Sequence, residues 1–188
     1  MRAVLVVVLM SVVGAASQSM SSRTPQTRQY EGYGVAFDYP SDSSTSEVSI
    51  GELGEYGVLL LQLAGPAGRP PEEMGPPSAL VTWFPVAGGS TPDAELRTWI
   101  ASRRDSEPGF GWSVVETGAF RGNGHDVQYQ LWRVYGRGEL TAIRVLGVTA
   151  CSASRRYVIV DATAAPGFAT QRELLDRFFV TARSLRCE

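Results

Sequence analysis

The sequence predicts an α+β domain in which a twisted, mainly antiparallel sheet is covered by two principal helices. Three observations predict it. Strand-like segments follow one another through short glycine turns, two helix-length segments each carry one apolar stripe, and there are too few helices to supply the crossovers of a parallel sheet.

The N-terminus sets the compartment. Arg2 supplies one positive charge, an apolar run from Ala3 to Val13 follows, and Gly14, Ala15, Ala16 and Ser17 offer small-residue cleavage sites. The run is well short of the roughly 20 apolar residues that span a bilayer, so it predicts a removable signal peptide over 1–17 and no stable membrane span. No cysteine follows it, which argues against a bacterial lipid anchor. The predicted location is outside the cytoplasm: periplasmic, extracellular or cell-surface associated. Residues 18–29 are Ser, Thr, Arg and Gln without periodicity and predict a disordered leader, leaving 30–188 as a single domain.

Within the domain, Val35, Phe37 and Tyr39 alternate with Gly34, Ala36 and Asp38, the period of a strand ending at Pro40. A polar turn through Ser41 to Ser46 leads to strands at Glu47 to Glu52 and Val58 to Ala64, with Gly54 to Gly57 between them. The Pro- and Gly-rich stretch from Gly65 to Pro77 is a surface loop, and Ala79 to Pro85 is a strand with Val81 and Trp83 on one face. Thr91 caps a helix opened by Pro92, with acidic Asp93 and Glu95 at its positive end, Leu96, Trp99 and Ile100 on one stripe, and Arg103 and Arg104 in its last turn. Three strands follow as a meander, Trp112 to Phe120, His125 to Tyr135 and Glu139 to Ala150, joined by Gly122-Asn123-Gly124 and Gly136-Arg137-Gly138. A strand at Arg155 to Thr163 precedes a closing helix in which Phe168, Leu175, Phe178, Phe179 and Ala182 recur at helical spacing.

The segment Tyr33-Gly34-Val35-Ala36-Phe37-Asp38-Tyr39-Pro40-Ser41 resembles the strand and Tyr-Pro opening of PsbP-like domains. The later meander and the terminal helix running into Thr181-Ala182-Arg183-Ser184-Leu185-Arg186 extend the resemblance over about residues 30–187. At Asp42 to Thr45 the sequence departs from the aromatic that commonly follows that opening. The resemblance implies an α/β/α sandwich, extracytoplasmic in many members, acting as an accessory or binding module. It carries no ligand motif residue by residue.

Charge and chemistry narrow the function by exclusion. A formal net charge of -2, with 17 basic residues that are all arginine, gives no field for nucleic acid. Cys151 and Cys187 are the only cysteines, and in an exported chain an intramolecular disulfide is the simplest assignment, with two buried thiols or a metal pair as the alternatives. One histidine and two cysteines cannot complete a zinc site without carboxylates. His125 is the single histidine, and Asp126 beside it would point to the opposite strand face, so a catalytic triad is disfavoured. Glu47, Glu52, Glu55, Glu72 and Glu73 fit no calcium-loop spacing. No catalytic residue, metal or cofactor is assigned.

Two features remain. Asp161 lies in an apolar strand and needs a partner, for which Arg144 is a candidate. Trp83, Trp112 and Trp132 are strand residues that would form an aromatic binding patch if they share a wet face. The leading expectation is an extracytoplasmic non-catalytic binding or accessory module for an unknown protein or small ligand. The alternative is a secreted hydrolase using His125 or a carboxylate pair.

Overall fold

The computed structural model describes residues 26–52, 54–62, 77–86 and 88–187. The expected signal peptide and most of the Gly65 to Pro77 loop lie outside these residues.

Elements run in the order β1 (Thr27–Gly32), β2 (Val35–Pro40), β3 (Ser44–Ile50), β4 (Gly57–Gln62), β5 (Ser78–Pro85), α1 (Pro92–Ser106), β6 (Phe110–Gly122), β7 (His125–Gly136), β8 (Glu139–Cys151), β9 (Arg156–Ala164), α2 (Gln171–Ser184) and β10 (Arg186–Cys187). Every strand pairing is antiparallel. The strands form two sheets: a seven-stranded sheet ordered β3-β4-β5-β9-β8-β7-β6, and a three-stranded one ordered β1-β2-β10.

This corrects the one-sheet expectation. Thr27, Arg28 and Gln29, expected in the disordered leader, pair with β2 instead, and residues 18–25 lie outside the described residues. That strand is mostly exposed and polar, so it carries no apolar alternation to announce it. Likewise β3 begins at Ser44, inside the expected turn.

The hairpins follow from backbone chemistry. Tyr33-Gly34, Asn123-Gly124 and Arg137-Gly138 all hold both residues at positive φ, the geometry that matches the twist of two antiparallel strands. Thr91 caps α1 by accepting from the Ala94 N–H, with Pro92 in the first turn. Thr170 and Glu173 form a reciprocal capping box at the start of α2.

Strand alternation sorts the large sheet into two faces. Leu59, Val81, Trp83, Leu131, Val145, Val160 and Ala162 join Val35 and Phe37 of the small sheet and Leu174 and Phe178 of α2 in one core. Leu146, Val148, Tyr157 and Ile159 face the other way and meet Leu96 and Ile100 of α1. One face is thus covered by α2 with the small sheet, and the other by α1, which packs on β7 and β8. Two helices alone do not make the cover.

Cys151 at the end of β8 is bonded to Cys187 of β10, with Cα atoms 5.8 Å apart and a sequence separation of 36. The bridge ties the two sheets covalently, and closing a loop of that length stabilises by about 4 kcal/mol in the chain-entropy model.

Candidate functional site

The structure separates the three strand tryptophans. Trp83 points into the α2-side core, is fully buried and donates its indole N–H to the Gly54 carbonyl at 3.1 Å. A Cβ at Gly57 would lie 2.1 Å from that ring, so β4 needs a glycine there to admit it. Trp83 is a core anchor, out of reach of any ligand.

Trp112 and Trp132 do come together, on the α1 face of β6 and β7. Their rings meet edge to face with centroids 5.8 Å apart, as expected from a register that pairs Trp112 with Val134 and Val114 with Trp132. The Arg144 guanidinium sits 5.0 Å from the Trp112 ring centroid.

Arg144 is the hub of a chain of alternating charge. Its Nη1 lies 3.0 Å from Glu107 Oε1, just past the end of α1, and its Nε lies 3.5 Å from Asp161 Oδ1 on β9. The other Asp161 oxygen is 2.8 Å from Arg103 Nε of α1. Arg103 in turn lies over Trp99 at 5.5 Å. The sequence pointed to Asp161 and Arg144. It could not supply Arg103 and Glu107, which arrive through helix docking. The Asp161 side chain is 3% exposed and that of Arg144 13%, so the chain locks α1 to the sheet and presents little to solvent. Among the described residues, the buried indole N–H groups of Trp99, Trp112 and Trp132 meet no acceptor.

What the cluster does present is its rim. β6 is the terminal strand of the large sheet, and on it Phe110 and Val114 lie at alternate positions flanking Trp112 on the α1 face. Phe110 is 45% exposed and Val114 51%, and Val115, displaced by a bulge between Val114 and Glu116, adds a further 37%. Leu140 of β8, paired with the end of β7 nearest to Phe110, is also exposed. The opposite edge, β3, is polar: Ser44, Ser46, Glu47 and Ser49 surround its exposed Val48. Phe110 and Val114 were visible as residues in the sequence. That they stand on a strand with no partner on its outer side among the described residues is a fact of topology.

The remaining sequence candidates do not assemble. His125 and Asp126 start β7 on opposite faces, and Asp126 lies 3.9 Å from Arg121. Glu47 accepts from the Tyr30 and Tyr33 hydroxyls, and Glu72 and Glu73 lie outside the described residues. Among the described residues no group of three His, Cys, Asp or Glu side chains could hold a metal ion, and no helix is long and apolar enough to cross a membrane.

Two shallow clefts run along the outer side of α2. One, about 330 Å³, is lined by Pro40, Asp42, Glu173, Asp176, Arg177 and neighbours, and the other, about 340 Å³, by Phe179, Arg183 and neighbours. Their charges already serve one another. Arg177 donates to both oxygens of Asp42 at 3.2 Å, Arg172 pairs with Asp176, and hydrogen bonds from the Thr170 backbone N–H and hydroxyl hold the Glu173 carboxyl below its usual range. They lack the convergent unpaired polar groups expected of a small-molecule site.

No protein-family model matches the sequence, and no curated protein matches it. Solved structures do share the fold. The solution structure of cyanobacterial PsbP from Synechocystis sp. PCC 6803 superimposes with a TM-score of 0.62 at 12% identity, covering 93% of this chain and 100% of that one. The Saccharomyces cerevisiae Ran-binding protein Mog1p superimposes with a TM-score of 0.60 at 10% identity, covering 87% and 96%. The resemblance to PsbP-like domains read from the Tyr-Pro opening therefore holds at the level of the fold.

Proposed function

We propose that this protein is an exported, non-catalytic binding or accessory module that docks a protein partner on the apolar rim of β6. The observation that carries the reading is the strip Phe110, Trp112 and Val114 on a free sheet edge. Its aromatic and aliphatic surface, backed by a partly buried arginine, has the composition of an interface centre. Small exposed aliphatics scattered singly need no explanation, whereas a contiguous strip on an edge does. The Ran-binding protein Mog1p offers a parallel, since this fold serves protein recognition there. Export is supported by the charge, apolar run and small residues of 1–17 and by the Cys151–Cys187 bridge, which is at home in an oxidising compartment.

The test is affinity capture from the exporting cell with wild type, Val114→Arg and Val48→Arg as baits. Both valines are exposed edge residues, so neither change should alter stability by more than about 0.5 kcal/mol. Loss of captured protein only with Val114→Arg is expected. Equal capture by all three baits would remove β6 from the reading. Intact mass of the exported form should show 1–17 missing, and retained Met1 would overturn export.

A further inference from the structure

We propose that Asn123 is a site of spontaneous deamidation, and that its conversion to a carboxylate releases the end of α2 from the β6–β7 hairpin. Asn123 is the only asparagine in the chain and is followed by Gly124 in an exposed turn. Its backbone lies at φ 44° and that of Gly124 at φ 85°. The register pairs Gly122 with His125, so the Gly124 N–H stands in the turn outside the ladder, and a Cβ at Gly124 would meet nothing within 4 Å. The attacking nitrogen is therefore unshielded, and glycine gives it no side chain to obstruct the approach.

In the reaction the Gly124 nitrogen bonds to Cγ of Asn123 and closes a cyclic imide. The Cγ–Nδ2 bond breaks, and the proton given up by Gly124 leaves with the side-chain nitrogen as ammonia. Water then adds to one of the two imide carbonyls, and breaking that carbonyl's C–N bond gives aspartate or isoaspartate. The nucleophile is the deprotonated amide, so the rate rises with pH.

The amide that is lost has a structural task. Its Nδ2 donates to the Ser184 carbonyl at 2.9 Å, one of the last carbonyls of α2, which the helix itself leaves without a donor. The fit is close, since a Cβ at Gly122 would come within 2.7 Å of the Arg183 backbone. Ser184 also reaches the small sheet, its Oγ accepting from the Asp38 N–H at 2.7 Å. A carboxylate at 123 has no N–H to offer and sets negative charge against the negative end of the helix dipole. Because the Ser184 carbonyl holds the leaving nitrogen, the folded chain should react about fivefold more slowly than the same segment unfolded, the effect of one hydrogen bond.

The full chain incubated at mildly alkaline pH, beside the free peptide of residues 122–126, reads the site by intact mass and peptide mapping. The chain should gain about one mass unit, located at position 123 in both aspartate and isoaspartate forms. Amide exchange at 181–184 should quicken about fivefold or more in the aged chain and in Asn123→Asp, which carries the carboxylate from the start. Asn123 still unmodified well past the interval set by the free peptide would overturn the site. Unchanged exchange at 181–184 in the aged chain and in Asn123→Asp would overturn the release of α2.

Discussion

The two faces of the large sheet are built differently. On the α2 face, five residues of the helix are buried, and Phe178 and Phe179 interlock with Phe120 and Tyr129 at centroid distances of 5.3–6.0 Å. The small sheet and the disulfide close that face from the side. On the other face, α1 buries only Leu96 and Ile100 and is held in addition by the Glu107, Arg144, Asp161 and Arg103 chain. The two faces therefore divide apolar packing from polar locking. Apolar packing dominates the first face, while the second accepts buried charge and indole N–H groups without an acceptor among the described residues, next to an exposed apolar rim.

The two faces should differ most at Phe178. Phe178→Ala should cost about 3–5 kcal/mol, because the ring is buried and its cavity is lined by a rigid sheet. Ile100→Ala should fall at about 2 kcal/mol, the low end for its type, since the α1 side can relax toward solvent. Denaturant titration of the two variants decides, and equal losses would contradict the division.

Asp161→Asn comes next. It leaves the partly buried Arg103 and Arg144 without their shared carboxylate and should cost about 3 kcal/mol by the same titration. A neutral result would mean that the ion chain merely offsets its own desolvation.

Thr170→Ala should cost about 1 kcal/mol by removing the capping box of α2. Thermal melts should register it as a smaller shift than either change above.

The smallest effect is alkaline. Burial first, then its hydrogen bond to Glu116 and that carboxylate's charge, push the Tyr129 hydroxyl up to about 12 from an ordinary 10. Tyr30 is pushed up to about 12 by burial, with Glu47 adding to it. A folded pKa above the unfolded one means that this stability is full below pH 10 and is lost as pH rises through 12. Tyr129→Phe should flatten the fall in stability across that window, and an unchanged slope would remove Tyr129 as its source.

How much of this was legible in the sequence depends on whether the signal was local. Thr91-Pro92 announced α1, and the Asn123-Gly124 and Arg137-Gly138 turns announced the meander, because capping and positive φ are properties of a few adjacent residues. β1 escapes the sequence reading because its residues are polar and leave no apolar alternation ahead of the Gly32-Tyr33-Gly34 turn. The capping box at Thr170 and Glu173 was available as a Thr-x-x-Glu pattern and would have fixed the start of α2.

For the site, alternation placed Trp132 in phase with its strand neighbours but could not relate phases across strands. Trp83 was therefore grouped with Trp112 and Trp132, from which the sheet divides it. A charge inside an apolar strand was enough to single out Asp161, whereas the edge position of β6 depends on which strand lies beside which.

The proposed docking surface is the β6 rim and not the β3 edge. A photoreactive side chain placed at position 114 or, as its control, at the comparably exposed position 48 tests this in the cell that makes the protein. Docking on β6 predicts protein adducts from position 114 and none from position 48. Adducts from both in equal yield, or from position 48 alone, would contradict it.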